Sequence, residues 1–337
     1  MRVLFIGGTG VISAEVSRRA VELGHEVYLL NRGTQTRGLA PEGAILLKGD
    51  ARDPESLRAA LGSRSFDAVA DFISFTPAQL AASLEALRGR YGQYLFISST
   101  AVYQRGLING TEDAPLTNLA WDYSRDKIGC EQLLAVEDDL YGCCYTIVRP
   151  SVTYGDTRIP AALISNRQWS FADRILRGAP IVMQDHGEAE TMITHSSDFA
   201  KGFCGLLGNP LARRQAYHIV SEEHFTWRRI AEMVGEALGR EPVFAFIPSR
   251  DICREMPMTQ QGATYGVLLC NKSVTGLYSN AKIRAHVPEF VCTTPFETGI
   301  RRTIEFFRTH PSFAGIDEEW NRQMDHLIEK FAPRPQP

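Results

Sequence analysis

Tyr123 and Lys127 stand four residues apart in a stretch, Trp121 to Ala135, whose apolar positions recur at intervals of three and four, the period of a helix. At that spacing the phenol and the ammonium project from one helix face. An ammonium beside a phenol stabilises the phenolate and draws the tyrosine pKa down from about 10 toward working pH, which makes it a usable general acid or base. Ser99 follows the apolar run Tyr94 to Ile97, so its hydroxyl is expected at the end of a strand, on the same edge of the sheet. Together Ser99, Tyr123 and Lys127 suit proton transfer at a carbinol or carbonyl oxygen, with Ser99 orienting that oxygen.

Such chemistry needs a hydride carrier, and the start of the chain has the form of a site for one. The strand Arg2 to Ile6 runs into Gly7-Gly8-Thr9-Gly10-Val11-Ile12-Ser13, where Gly7 and Gly10 take the first two places of a G-x-x-G-x-x-G turn and Ser13 replaces the third glycine. Glycine there permits a tight turn and lets the backbone approach a pyrophosphate, which the N-terminus of the following helix, Ile12 to Leu23, stabilises. Gly7, Thr9, Gly10, Val11 and Ile12 are therefore cofactor candidates. The second strand, Glu26 to Leu30, ends on Asn31-Arg32-Gly33-Thr34, with no carboxylate to hold a ribose 2'-hydroxyl. Arg32, with Thr34 or Arg37, instead suits a 2'-phosphate, so NADP(H) is expected over NAD(H). Asn31 shares that edge. Asp50 and Ala51 follow the third strand and are expected against the adenine, Phe72 and Ser74 end the fourth, and Lys127 would also hold the nicotinamide ribose.

These residues are positioned by a regular alternation. Apolar runs at Arg2 to Ile6, Glu26 to Leu30, Ala44 to Leu47, Ala68 to Phe72, Tyr94 to Ile97 and Tyr145 to Val148 are separated by amphipathic segments such as Glu55 to Leu61 and Pro77 to Arg88. Strand and helix in repetition give an α/β fold, a Rossmann-type doubly wound parallel sheet, over residues 1–156. Beyond it the alternation breaks down, and 157–330 reads as a smaller mixed α/β substrate domain with helices at Trp227 to Leu238 and Pro295 to Thr309. The acidic run Asp317 to Glu319 reads as a solvated helix start, and Ala332 to Pro337 as a frayed end.

Composition narrows the partners. The 337 residues are 44% hydrophobic with a net charge of -3 and scattered basic residues, so no electrostatic footprint for nucleic acid is expected. Apolar stretches are too short to span a bilayer, and Met1 leads straight into a strand, so a cytoplasmic protein is expected. Seven cysteines without C-x-x-C spacing read as reduced, mostly buried thiols, and no metal site is expected.

Gly7-Gly8-Thr9-Gly10-Val11-Ile12, Ser98 to Tyr103, Tyr123-Ser124-Arg125-Asp126-Lys127, Arg149 to Gly155 and His195 to Ala200 together resemble the extended short-chain dehydrogenase/reductases, the superfamily of NAD-dependent sugar epimerases and dehydratases. The resemblance covers nearly the whole chain. It implies a Rossmann domain to which a segment near 190–205 returns, a Ser-Tyr-Lys site, Pro150 beside the cofactor, Thr100 and Ser151 toward substrate, and commonly a homodimer through Pro77 to Leu87 and Trp121 to Leu134. His195 is expected as a packed or hydrogen-bonded residue.

The departures bear on substrate. Family dehydratases carry an Asp-Glu pair where this chain has Thr100 and Ala101, which disfavours a 4,6-dehydratase. Thr191 stands where nucleotide-sugar enzymes place an arginine, preceded by Asp185-His186-Gly187-Glu188-Ala189-Glu190; if those carboxylates face the pocket they repel a diphosphate and favour a cationic substrate such as an amino sugar. Glu190 is thus a substrate candidate, as is Trp169, which is able to stack on a sugar ring; Arg158 or Arg167 is the available replacement cation. The expected activity is an NADP(H)-dependent reductase of a carbohydrate or glycoside ketone, with a sugar epimerase or a non-catalytic, RNA-associated scaffold as alternatives.

Overall fold

Val3, Leu4, Phe5 and Ile6 are all fully buried, as an unbroken apolar run must be when both faces of its strand are covered. They form β1 (Arg2–Ile6), the centre of a parallel sheet in the computed structural model, which describes residues 1–33, 39–259 and 262–331. The next strands are β2 (Glu26–Asn31), β3 (Ile45–Lys48), β4 (Phe66–Asp71), β5 (Tyr91–Ile97) and β6 (Tyr145–Arg149). Helices α1 (Ser13–Glu22), α2 (Pro54–Leu61), α3 (Pro77–Leu87) and α4 (Asp122–Tyr141) connect them. Asp53 and Thr76 cap α2 and α3, each followed by proline at the first helical position, a pairing that starts a helix sharply.

The remaining strands and α-helices are β7 (Val152–Tyr154), α5 (Trp169–Arg177), β8 (Ile181–Gln184), β9 (Glu190–His195), α6 (Ser196–Leu206), β10 (Gln215–His218), β11 (His224–Thr226), α7 (Trp227–Leu238), β12 (Phe244–Ile247), α8 (Ser249–Glu255), β13 (Met258–Thr259), β14 (Gly262–Ala263), α9 (Thr264–Val267), α10 (Ala281–His286), α11 (Phe296–Thr309) and α12 (Glu318–Phe331). The main sheet runs β10-β6-β5-β4-β1-β2-β3, every neighbouring pair parallel. Its order reverses between β1 and β4, which opens a crevice beyond their carboxyl ends, the place where such sheets bind ligands.

Sequence reading did not anticipate β10. It is only four residues long and half-covered, too short for a period to show. α6 lies against α1 on the face of this sheet, and residues of α10 (Ile283) with Val287 and Phe290 complete the core there. A second core, built from α5, α7, α11 and α12 around β8, β12 and the β11-β9-β7 sheet, stands beyond the carboxyl edge. From it α9 continues into a single π-helical turn, Leu268–Lys272, that reaches back to the crevice. Gly266 presses on Trp121, since a Cβ there would lie 1.9 Å from the indole.

No helix among the described residues is long and apolar enough to cross a membrane. The seven cysteines are free, four of them buried.

Candidate active site

The glycine turn is built by backbone conformation and packing. Gly7 has φ +83°, donates to the Leu30 carbonyl at 3.0 Å, and lies so close to Ile73 that a Cβ would sit 2.2 Å from its Cγ2. A Cβ on Gly10 would meet only Ser13 Oγ, at 3.3 Å, so this face is open to a ligand. Ser13 is active in the loop: its hydroxyl donates to Gly7 O at 2.5 Å and accepts from Gly10 N at 2.8 Å. The close packing expected of a third glycine falls on Gly8, whose Cβ would be 2.6 Å from Leu29 Cδ2. Val11 and Ile12 line the crevice beside Gly7 and Gly10; Thr9 stands at the turn's apex, off that wall.

At the end of β2, Asn31 has a buried amide nitrogen without a partner, and Arg32 is exposed with no ion pair among the described residues. Thr34 and Arg37 lie outside the described residues. The Asp50 carboxylate accepts from Arg52 N at 3.0 Å. Ala51 is only 4% exposed and packs with Leu57 and Leu61, so its side chain belongs to the core. Phe72 lines the crevice. Ser74 is buried and contributes its carbonyl, which accepts from Lys127 Nζ at 2.9 Å. An open glycine face at a helix N-terminus, an unsatisfied amide and an unpaired arginine fit a dinucleotide at this edge.

Ser99, Tyr123 and Lys127 line one crevice of about 730 Å³, together with the glycine turn, Pro150 and Ser151. Ser99 caps a short 3-10 turn, accepting from Ala101 N at 3.1 Å, while Ser124 Oγ donates to Ala101 O at 2.8 Å and pins α4 to that turn. Next to it Ser98 donates to Glu131, which is paired with Arg149 at 2.6 Å; Arg149 also bonds Tyr103, whose hydroxyl is 2.7 Å from His218. This buried network fixes the strand end that carries Ser99.

One expectation is corrected. Lys127 Nζ donates to the carbonyls of Ser74 and Ile97 (2.9 and 2.7 Å) and lies 6.0 Å from the Tyr123 ring centre. Burial pushes Lys127 down to about 8. Tyr123 is held above its ordinary value, burial outweighing the Ser99 hydroxyl and the Arg158 guanidinium, which pull it down. Arg158, which the sequence offered only as a substrate-binding substitute, stands on the wall of the same crevice and favours the phenolate.

Arg158 and Lys272 enter the same crevice from the second core, Lys272 on the π-helical turn. A side pocket beyond is walled by Thr100, Ser151, Glu190, Asn271 and Lys272. Of the acidic loop only Glu190 reaches it: Glu188 is exposed, and Asp185 is bonded to Ser249 at 2.9 and 2.6 Å. Trp169 does not belong to the site; its ring stacks on Phe307 at 5.5 Å in the second core. His195 is buried, bonded through Nδ1 to Ser197 and edge-on to Tyr154. Among the described residues no His, Cys, Asp and Glu side chains gather as metal ligands.

A parallel nucleotide-binding sheet with this crevice defines a class, and the comparisons name it. The chain belongs to the NAD dependent epimerase/dehydratase family, whose model matches residues 3–220; the family binds NAD(P). The chloroplast stem-loop binding protein of 41 kDa b from Arabidopsis thaliana is 29% identical over 254 residues, 71% of this chain and 63% of that protein's own length. The 2'-dehydrokanamycin reductase of Streptomyces kanamyceticus is 26% identical over 241 residues, 71% of this chain and 67% of that one. UDP-glucose 4-epimerase of Thermus thermophilus, solved with NAD, superposes with a TM-score of 0.69 at 22% identity, covering 92% of this chain and 100% of that one, a likeness of fold.

Proposed function

We propose that the chain is an NADP(H)-dependent oxidoreductase that reduces a ketone of a carbohydrate or glycoside, or runs the reverse oxidation. The observation that carries this reading is the meeting of Ser99, Tyr123 and Lys127 with the glycine turn in one crevice. When bound, the nicotinamide supplies the hydride. Tyr123 delivers the proton to the carbonyl oxygen, Ser99 orients that oxygen, and Lys127 holds the ribose side of the cofactor against the ends of β4 and β5. Arg32, exposed and unpaired where β2 ends, supports NADP(H) over NAD(H), and with it a net reductase that exchanges cofactor with a cellular pool. The likeness to a 2'-dehydrokanamycin reductase supports a reductase acting on a glycoside. Working as a small-molecule enzyme, the protein acts as a homodimer.

The test is to mix purified protein with NADPH and a panel of keto sugars. Stoichiometric loss of NADPH fluorescence, abolished in Tyr123→Phe while dinucleotide binding persists, is the expected outcome. Retention of an unchanged cofactor during sugar turnover points to an epimerase. Dinucleotide binding without turnover of any substrate, accompanied by stem-loop RNA binding, overturns the enzymatic reading in favour of a scaffold.

A further inference from the structure

We propose that Asp71 is a positioning residue: its carboxylate fixes the turn that ties the glycine loop to Lys127 and is the buried countercharge of the Lys127 ammonium; this rests on the reading of the crevice as a reductase site. Asp71 ends β4, is fully buried, and does not line the crevice itself. One of its oxygens accepts from the backbone N–H groups of Ile73 and Ser74, both at 2.9 Å, and the other accepts from the Tyr94 hydroxyl at 2.8 Å. The turn held in this way touches the site twice. Ile73 lines the crevice and packs against Gly7, and the Ser74 carbonyl accepts from Lys127 Nζ at 2.9 Å.

Charge makes this more than a capped turn. The other buried acidic residues among those described, Glu131, Asp138 and Asp198, meet Arg149, Arg214 and Lys201 directly. The three donors to Asp71 are neutral, so they satisfy its lone pairs and leave its charge unbalanced. Lys127 is the matching case, an ammonium 2% exposed whose two acceptors, Ser74 O and Ile97 O, are neutral carbonyls. Ser74 joins the two charges, giving its N–H to the carboxylate and its carbonyl to the ammonium. The strand register brings them together a second time: Asp71 pairs with Phe96 across β4 and β5, and Lys127 Nζ lies 4.6 Å from the centre of the Phe96 ring. Burial pushes Lys127 down to about 8, and the groups that oppose this are Cys130, Asp71, Glu131 and Asp126. Burial pushes Cys130 up to about 12, so it is a neutral thiol at working pH. Glu131 is neutralised by Arg149, and Asp126 is half-buried on the crevice wall. Phe75, Phe96 and Tyr123 present only rings to the ammonium. Asp71 is thus the buried carboxylate left to balance it.

The experiment is a double-mutant cycle in the full chain, read by urea unfolding without cofactor at about pH 6.5 and again at about pH 9.5. Asp71→Asn keeps an oxygen for the two N–H groups and removes the charge; Lys127→Met removes the ammonium. At the lower pH, Asp71→Asn is expected to cost about tenfold or more in the unfolding constant with Lys127 present than with methionine in its place. Losing the countercharge lowers the folded pKa of Lys127 further, so this excess is full below that value and fades as pH rises through about 8, where the wild-type lysine becomes neutral. Tyr94→Phe removes one hydrogen bond and no charge, and should show no such pH dependence. NADPH affinity, read by the fluorescence of the bound dinucleotide from about pH 7 to about pH 10, falls as Lys127 loses its proton; in Asp71→Asn the fall comes about one pH unit lower, and in Lys127→Met it is absent. Folding of the double variant where Asp71→Asn alone does not fold also supports the pairing. Additive effects at both pH values, a coupling that does not change with pH, the same pH dependence in Tyr94→Phe, an unshifted NADPH profile, or failure of the double variant to fold assigns Asp71 to the turn alone and overturns the proposal. Absence of NADPH binding in every form, with the pH-dependent coupling intact, strikes the reductase reading and leaves Asp71 as the countercharge of Lys127.

Discussion

The ammonium of Lys127 lies 6.0 Å from the centre of the Tyr123 ring and directs its hydrogen bonds to the carbonyls of Ser74 and Ile97, so it ties α4 to the ends of two strands instead of facing the phenol. The two residues therefore separate in function. Tyr123→Phe removes only the transferable proton: turnover falls by about 100- to 10,000-fold, while the dinucleotide dissociation constant stays nearly unchanged. Lys127→Met weakens dinucleotide binding and lowers stability. Parallel NADPH titrations and steady-state rates on the two variants check the difference.

Lys127 also makes a pH prediction. Burial depresses its folded pKa to about 8 from 10.5, so between those values the unfolded chain binds a proton that the folded chain does not. Stability from this group accordingly rises as pH climbs from about 8 to 10.5, by on the order of 3 kcal/mol at most. Urea unfolding of wild type and Lys127→Met across that range should show wild type gaining on the variant. A constant difference would count against a depressed lysine.

Much of this site is legible in the sequence. β1 is bounded as its apolar run requires, and α7 spans Trp227 to Leu238 as expected, because long amphipathic or continuous apolar stretches carry a period. What could not be read was side-chain direction. Nothing in Y-x-x-x-K tells whether the ammonium turns toward the phenol or toward carbonyls of neighbouring strands. The Trp169 indole suits a sugar ring, yet it packs on Phe307, far away in sequence. Lys272 carries no motif, and only the π-helical turn brings it to the crevice.

Gly7 and Gly10 should respond differently to the same change. Alanine at 7 meets both a left-handed φ and Ile73 at 2.2 Å, so Gly7→Ala destabilises the fold, by about 1–3 kcal/mol or more. Alanine at 10 meets only Ser13 Oγ and leaves the fold nearly intact while obstructing the ligand's approach. Thermal melts with and without NADPH separate them: Gly7→Ala melts lower in both conditions, and Gly10→Ala loses only the stabilisation that the dinucleotide confers.

Arg32 sets the cofactor in the proposed reading. Arg32→Asp replaces a charge that attracts a 2'-phosphate with one that repels it and accepts from a 2'-hydroxyl, so the preference for NADPH over NADH should invert. Dissociation constants for both dinucleotides, measured at two salt concentrations, test this. The wild-type preference should shrink at high salt, because the arginine is exposed and its attraction is screened.

Glu131 stands behind the site without lining it. It accepts from Ser98 and pairs with Arg149 inside the protein, both side chains about 5% exposed. Glu131→Gln leaves the guanidinium buried without its countercharge, a change that costs about 3–5 kcal/mol, and it loosens the strand end that presents Ser99. Stability measured by denaturant should fall by that order and kcat should fall with it, whereas dinucleotide binding at the glycine turn changes little. A double variant, Glu131→Gln with Arg149→Met, removes the stranded charge and should regain most of the stability, since replacing a whole buried pair is close to neutral. The rate should not return in proportion, because the hydrogen bond to Ser98 and the link through Tyr103 to His218 are still altered. Recovery of both together would make Glu131 a stabilising residue with no share in positioning Ser99.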